Sequence, residues 1–382
     1  MTSFSEPEPA FPTSGRESDI EQWQTRWIEW KRRSLRAKSI ADRPRVAERL
    51  AYFSAYPCDV DRSEVVEKLS RVPSSEVLRI ITSDAPSCVS TEWLRLVVRA
   101  NGAVEFASRQ QRKEDLMGRC ARVRAAVTVV PIHLAYETVG PTRRQEPFAL
   151  NPIGHAVALI VDHARLTAEF FNPWGSLHEQ DEPIQALLAT QLARDLPQYR
   201  MVRQEAFCPV LGPQGIEAGQ SCASWSLLYA FLRVEEPELE PKDIFEEMLA
   251  DATRAKLRRL IEGFACWVWA HPQIRVLGDS YELGPLVFQL RPEVHRINDE
   301  MRPEFVRDPT WRAQSERLLE IYDELQDAMK DAGEAAGVAN IRTDGRGYGA
   351  AERSFAVARE LLAALHDAMR DLAATERRLL QP

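Results

Sequence analysis

The sequence lacks the features that mark membrane proteins and nucleic-acid binders. It has no apolar run of about 18 residues, which a transmembrane helix requires, and it begins with MTSFSEPEPAFPTSGRESD, which has neither a basic start nor an apolar signal core. It also has no long basic block, and its net charge is −8 with a pI near 5.6. We therefore expect a soluble, intracellular protein without a nucleic-acid or membrane partner, and a disordered leader over residues 1–16.

The cysteines lack the spacing of a metal or redox motif. The six lie at positions 58, 88, 120, 208, 222 and 266, and no two form a C-x-x-C pair. This scatter excludes a zinc ribbon and a thioredoxin-like motif. In an intracellular protein it favours reduced thiols. We predict neither a metal nor an organic cofactor.

Residues 17–120 carry helical patterns. The segments SEVVEKLSRV, SEVLRIIT and STEWLRLVVRA each begin with Ser or Thr, followed by an acidic residue and apolar residues at helical spacing. We predict a helical N-terminal region without chemistry of its own. The 382 residues, 45% of them hydrophobic, suffice for one large core and smaller ones.

Residues 121–295 change in character and predict an α+β domain with a central mixed sheet. Short runs rich in branched and aromatic residues are bounded by Pro, Gly, Asn or Asp, as strands are: VRAAVTVVPIHLAYE, HAVALIVD, LTAEFFNP and YRMVRQEAF. An apolar helix begins near Cys222, and further helical segments follow it. Residues 296–382 carry two long helical patterns separated by a Gly-rich segment, which predicts a C-terminal helical hairpin.

Four residues of the middle region suit nucleophilic chemistry. Cys222 falls in the first turn of its predicted helix, where free N–H groups lower the pKa of a thiol. His155 begins a strand and can serve as the base. Asn172 ends the next strand, and its carbonyl oxygen can orient the imidazole. Gln214, in the predicted loop before the helix, carries an amide that can stabilise an oxyanion. These roles complete a thiol hydrolase in the chain order His, Asn, Gln, Cys.

Each of these residues also has a structural interpretation. A helix cysteine is more often a small core residue, a strand-end histidine is commonly structural, and Asn-Pro is an ordinary turn. Gln220 is a second candidate for the oxyanion, and Asp162 or Glu169 is an alternative to Asn172. Trp174 and Trp225 either narrow a substrate groove or belong to the core.

The middle region resembles the CE clan of cysteine proteases, which includes the adenovirus and SUMO-specific proteases. Its pattern is most similar to the Ulp-like proteases of large DNA viruses. The resemblance is carried by Gly154-His155-Ala156, Asn172-Pro173-Trp174-Gly175, Cys208-Pro209, Gln214 and Cys222-Ala223-Ser224-Trp225-Ser226. Many cellular members have Trp and Gly where this chain has Ala156 and Ala223, and an acid where it has Asn172.

The resemblance implies a cysteine peptidase that cleaves peptide or isopeptide bonds. It implies a protein substrate: ubiquitin, a ubiquitin-like modifier or a viral precursor. Two alternatives stay open. Bacterial effectors of similar architecture transfer acetyl groups through the same thioester, and a scaffold with a relic triad would have no activity. The triad expected from the resemblance is His155, Asn172 and Cys222, with Gln214 at the oxyanion.

Overall fold

The fold described here is that of a computed structural model. It describes residues 46–83, 85, 87–90, 94–107, 116, 120, 125–137, 154–175, 181–208, 211–250, 252–299, 303–341 and 348–380. The described residues up to Trp269 form one compact unit, and those from Ala270 onward form a second. No helix in these ranges has the length and apolar character that crossing a bilayer requires. The leader predicted over residues 1–16 lies outside the described residues.

The first unit is built on a mixed sheet of seven strands. The strands are β1 (Ser87–Val89), β2 (Leu94–Val98), β3 (Val104–Phe106), β4 (Val127–Tyr136), β5 (Gly154–Asp162), β6 (Thr167–Phe171) and β7 (Arg200–Val202). Their order is β3-β2-β4-β5-β6-β7, and β1 also pairs with β4. β5 is antiparallel to β4 and β6, whereas β1 and β2 run parallel to β4, and β7 runs parallel to β6.

Eight helices accompany this sheet in the described part of the first unit. They are α1 (Val46–Ala55), α2 (Arg62–Arg71), α3 (Ser74–Ile81), α4 (Asp181–Asp195), α5 (Pro213–Glu217), α6 (Cys222–Glu235), α7 (Pro241–Met248) and α8 (Arg254–Trp269). The α+β architecture with a central mixed sheet is therefore present. Local chemistry explains several boundaries; for example, Asp61 caps α2 by accepting from the backbone N–H groups of Ser63 and Glu64.

Helices cover both faces of the central strands, which explains why those strands are nearly continuous apolar runs. Phe170 of β6 belongs to a core cluster that includes Leu159 of β5 and Leu188 of α4. Its neighbour Phe171 projects to the opposite face and stacks on Tyr229 of α6, with ring centroids 4.1 Å apart. The sheet is thus held between α4 and α6.

The helix predicted over STEWLRLVVRA is wrong, because this segment contains strand β2. Leu94, Leu96 and Val98 are buried and alternate with partly exposed residues, which is the period of a strand. The predicted helices at SEVVEKLSRV and SEVLRIIT are present as α2 and α3.

The expectation of reduced thiols is also wrong for four of the six cysteines. Cys58 pairs with Cys266 and Cys88 with Cys120, at Cα separations of 5.6 and 5.8 Å. The fold brings these residues within bridging distance from 208 and 32 positions apart, which the spacing of the cysteines does not reveal. Cys208 and Cys222 are not part of a disulfide.

The second unit is helical in its described part. Its helices are α9 (Pro272–Asp299), α10 (Pro303–Arg307), α11 (Pro309–Ile341) and α12 (Tyr348–Leu379). A separate core cluster includes Leu318 and Leu325 of α11 with Phe355 and Leu365 of α12. The two long helices predicted for the C-terminal region are thus present and packed together.

Candidate active site

His155 lies at the start of β5, directly after Gly154. The His155 residue is 6% exposed. A Cβ atom on Gly154 would collide with the ring nitrogen Nε2 of His133 on the neighbouring strand β4. Glycine at this position therefore leaves room for the second imidazole as it is placed here.

Asn172 follows β6 directly and contacts His155. Its Oδ1 is 2.7 Å from Nε2 of His155, and both side chains are buried. The same Oδ1 accepts from the backbone N–H of Trp174 at 3.0 Å. Its Nδ2 donates to Oδ1 of Asp181 at 2.8 Å. The side chain of Asn172 is thus held by three neighbours.

The backbone of Asn172 is anchored as firmly as its side chain. Its N–H donates to Oε1 of Gln204 at 2.7 Å, and its carbonyl accepts from Nε2 of the same side chain at 2.7 Å. Gln204 is fully buried, and its own N–H donates to Gln185 of α4. This double hydrogen bond fixes the chain where β6 ends.

Cys222 is the first residue of α6 and lies beside the start of β5. The backbone N–H of Ala156, the residue after His155, lies close enough to the Cys222 sulfur to lower the pKa of the thiol. One turn further along α6, Oγ of Ser226 donates to the carbonyl oxygen of Ala156 at 2.9 Å. Helix α6 therefore engages both backbone groups of Ala156 and brings the thiol to the neighbourhood of His155.

The pKa of the Cys222 thiol departs from its ordinary value in the direction opposite to the sequence-based prediction. Burial raises it, and the backbone N–H groups of Ala156, Ala223 and Cys222 act against this rise without cancelling it. The position at the helix N-terminus is as predicted, but the surrounding protein disfavours the thiolate more than the N–H groups favour it. In this arrangement the thiol holds its proton at neutral pH.

Gln214 lies on the short helix α5, not in a loop as predicted. It is 3% exposed, and its Nε2 donates one hydrogen to the carbonyl oxygen of Gly219 at 2.9 Å. An amide of this kind carries a second hydrogen, and Oε1 of Gln214 has no hydrogen-bond partner among the described residues. Gln220, the alternative candidate, is exposed.

The segments that carry Asn172 and Gln214 are joined through their backbones. The N–H of Gly212 donates to the carbonyl oxygen of Trp174 at 2.9 Å, and the N–H of Gln214 donates to that of Pro173 at 3.0 Å. A Cβ atom on Gly212 would collide with the carbonyl oxygen of Pro173. The two candidate residues therefore sit on segments that cannot move independently.

A buried carboxylate fixes the turn that precedes Cys222. Glu217 is 2% exposed and accepts from Nε and a terminal nitrogen of Arg258, both at 3.1 Å. Its other oxygen accepts from Oγ of Ser221 at 2.7 Å. This clamp was not predicted, since nothing in the sequence relates Glu217 to an arginine on α8.

The remaining candidates from the sequence, and the other histidines of the middle region, have structural partners or lie outside the described residues. Asp162 and Glu169 both bind the buried guanidinium of Arg233. His163 is bonded to Thr128 and Tyr199. His178 falls outside the described residues. Burial lowers the pKa of His133 to about 4, which keeps that ring neutral.

The two tryptophans differ. Trp225 is fully buried and belongs to the core, whereas Trp174 is 41% exposed next to Asn172.

Two further residues near the site were not predicted from the sequence: Tyr136 at the end of β4 and Asp181. Burial, followed by the charges of Asp181 and Cys222, raises the pKa of Tyr136 well above its usual range. Burial raises the pKa of Asp181 from 3.8 to about 7.

Comparison with known proteins assigns the chain to no family. No family model and no curated protein matches it. Among solved structures, it is similar to the Chlamydia trachomatis effector protein ChlaDUB1, with 15% identity over 70% of this chain and 96% of that one, at a TM-score of 0.27. A likeness of that size supports no argument about fold or activity, so we infer function from this chain's own residues.

Proposed function

We propose that the protein is a thiol hydrolase of peptide or isopeptide bonds, with Cys222 as nucleophile and His155 as base. The observation that supports this is the approach of the Cys222 sulfur to the N–H of Ala156. That N–H directly follows His155, whose Nε2 is held by Asn172. A nucleophile, a base and an orienting group in this order are what covalent hydrolysis needs.

The contacts of Asn172 determine which ring nitrogen serves as base. A backbone N–H can only donate, so the Asn172 atom that contacts Trp174 is the carbonyl oxygen. An oxygen that accepts from His155 requires the hydrogen to be on Nε2. The neutral imidazole then has its lone pair on Nδ1. This is the tautomer in which Nδ1 can remove a proton from a thiol.

The chemical steps follow from that tautomer. Nδ1 of His155 takes the proton of Cys222, and the thiolate attacks the carbonyl carbon of the scissile bond. The second amide hydrogen of Gln214 and the backbone N–H of Cys222 stabilise the oxyanion. The imidazolium protonates the leaving amine, and water then hydrolyses the thioester. Because burial raises the pKa of the thiol, general-base assistance is needed at neutral pH.

We propose ubiquitin or a ubiquitin-like modifier as the substrate. The resemblance to CE-clan proteases suggests this class. The exposed indole of Trp174 beside Asn172 offers an aromatic wall that suits the narrow Gly-Gly end of such modifiers. Processing of a viral precursor, as in the Ulp-like subtype, is the other substrate class that the resemblance suggests, and the same assay distinguishes it.

Fluorogenic C-terminal amides of ubiquitin and SUMO test the activity, together with a ubiquitin probe that carries a C-terminal electrophile. We expect hydrolysis by the full chain, covalent capture of the probe at Cys222, and no turnover by Cys222→Ala. His155→Ala should lower kcat/KM at least about a hundredfold. The matched controls Cys208→Ala and His163→Gln should retain activity.

Three results would contradict the proposal. Hydrolysis by Cys222→Ala would exclude the nucleophile, and a full rate in His155→Ala would exclude the base. Self-acetylation that depends on acetyl-CoA, without hydrolysis, would favour an acyltransferase instead.

A further inference from the structure

Asp181 is a buried carboxyl group without a cationic partner among the described residues. It is 2% exposed and is the first residue of α4. Oδ1 accepts from Nδ2 of Asn172, and Oδ2 has no hydrogen-bond partner within the part of the chain that the structure describes. Acidic residues in the first turn of a helix are ordinary, but they are normally solvated. Burial here costs stability without a matching ion pair.

The neighbouring titratable groups do not compensate for this carboxyl group. Glu205, after β7, carries a like charge that raises the pKa of Asp181. The charge of Asp181 in turn contributes to the raised pKa of Tyr136 of β4. His155 lies on the other side of Asn172. Among the described residues, the side-chain hydrogen bond of Asp181 is therefore the one with Asn172.

We propose that Asp181 is a positioning residue that holds the carboxamide of Asn172 in the orientation required by His155. This inference rests on the proposed function. The amide of Asn172 has one oxygen and one NH₂ group, and rotation by half a turn would present a donor to Nε2. The N–H of Trp174 holds Oδ1, and Asp181 strengthens this orientation because it accepts from Nδ2, which leaves Oδ1 for His155. The side chains of His155, Asn172 and Asp181 thus form, in this order, a chain of hydrogen bonds that ends in a carboxyl group.

Two substitutions separate the hydrogen bond from the space that Asp181 fills. Asp181→Asn keeps an acceptor oxygen, so kcat should change only a few-fold. Asp181→Leu has a similar size and no acceptor, which leaves Nδ2 of Asn172 buried and unpaired. We expect Asp181→Leu to lower kcat about tenfold or more with little change in KM, because the wrong tautomer removes the base. Equal kcat in a folded Asp181→Leu and the wild type would overturn the proposal.

A reversal of the hydrogen bond gives a second test. In Asn172→Asp two carboxyl groups face each other and share one proton, which is lost as the pH rises. The repulsion between the two carboxylates should then lower the activity. The double variant Asn172→Asp/Asp181→Asn restores a donor and an acceptor in exchanged positions. It should recover about tenfold or more of kcat at pH 8 relative to Asn172→Asp. A double variant no better than the single one would refute the pairing.

The tautomer itself can be observed without any substrate. In the full chain labelled with ¹⁵N-histidine, the His155 signals are identified by their loss in His155→Gln. At alkaline pH we expect the proton on Nε2 in the wild type and in Asp181→Asn, and a mixture of tautomers in Asp181→Leu. An unchanged tautomer in Asp181→Leu would overturn the proposal. A correct tautomer pattern without hydrolysis of any modifier would instead count against the proposed function, so the two failures are distinguishable.

Discussion

Replacement of Asp181 by Asn should make the stability of the protein less dependent on pH. Burial raises the pKa of this carboxyl from 3.8 to about 7. Because the raised value belongs to the folded state, the folded protein keeps a proton between about pH 4 and pH 7 that the unfolded chain loses. Stability therefore falls as the pH rises through this window, and the penalty is complete above pH 7.

The size of this penalty follows from the two pKa values. A difference of about three pH units at ~1.36 kcal/mol per unit corresponds to about 4 kcal/mol. Asp181→Asn has no such proton to lose. The gap in unfolding free energy between the variant and the wild type should thus move by as much as about 4 kcal/mol in favour of the variant from pH 4 to pH 8.

Urea denaturation of both proteins at pH 4, 6 and 8, followed by tryptophan fluorescence, measures this gap. Its change with pH is informative because any cost of the new amide group is the same at each pH. Parallel stability curves for the two proteins would refute the burial of an ionisable carboxyl at this position.

Two further predictions concern Cys222 and the turn before it. Without reductant, iodoacetamide should label one thiol per chain at Cys222, because Cys208 is fully buried and the other four cysteines form disulfides. The labelling rate should rise with pH, since burial raises the pKa of the Cys222 thiol. Peptide mass mapping that finds Cys208 labelled first would contradict this. Arg258→Ala should destabilise the protein by about 1–3 kcal/mol and slow the reaction of the unmodified Cys222 thiol with the ubiquitin probe, because Glu217 loses the guanidinium that it contacts. Arg254→Ala removes a hydrogen bond to the Glu217 backbone and should have a smaller effect in the same urea and probe assays.

The sequence predicted what local pattern controls. The positions of His155 and Asn172 at strand ends follow from apolar runs bounded by Gly and Asn-Pro, and Cys222 at a helix start follows from the change to an unbroken apolar pattern. The segment around Leu94–Val98 was misassigned because its Ser-Thr-Glu start resembled a helix N-terminus. The alternation of Leu94, Leu96 and Val98 was the better signal.

The sequence did not predict what depends on distant contacts. Asp181 is indistinguishable in sequence from any acidic residue that begins a helix, and only the fold brings it to Asn172. The same holds for Glu217 with Arg258, and for the bridge between Cys58 and Cys266. The direction of the Cys222 pKa shift was missed for a related reason, since the burial that raises it comes from several elements.

The contact between Gly212 and Pro173 allows the coupling of the two halves of the candidate site to be tested. Gly212 has φ −82° and ψ 175°, which any residue adopts. Gly212→Ala therefore introduces no backbone strain of its own, and its effect is the collision of the new Cβ with the Pro173 carbonyl and with the backbone nitrogen of Gly175. Relief of that collision must separate the segment of Asn172 from that of Gln214.

We expect Gly212→Ala to lower kcat about tenfold or more, because small displacements of positioned groups are costly in catalysis. The loss of stability should stay within about 1–3 kcal/mol, as for other overpacked sites. Gly284→Ala, where a Cβ meets nothing within 4 Å, is the matched control and should leave kcat unchanged. If Gly212→Ala instead keeps full kcat while the urea midpoint falls, the two segments tolerate separation, and Gln214 does not act together with Asn172.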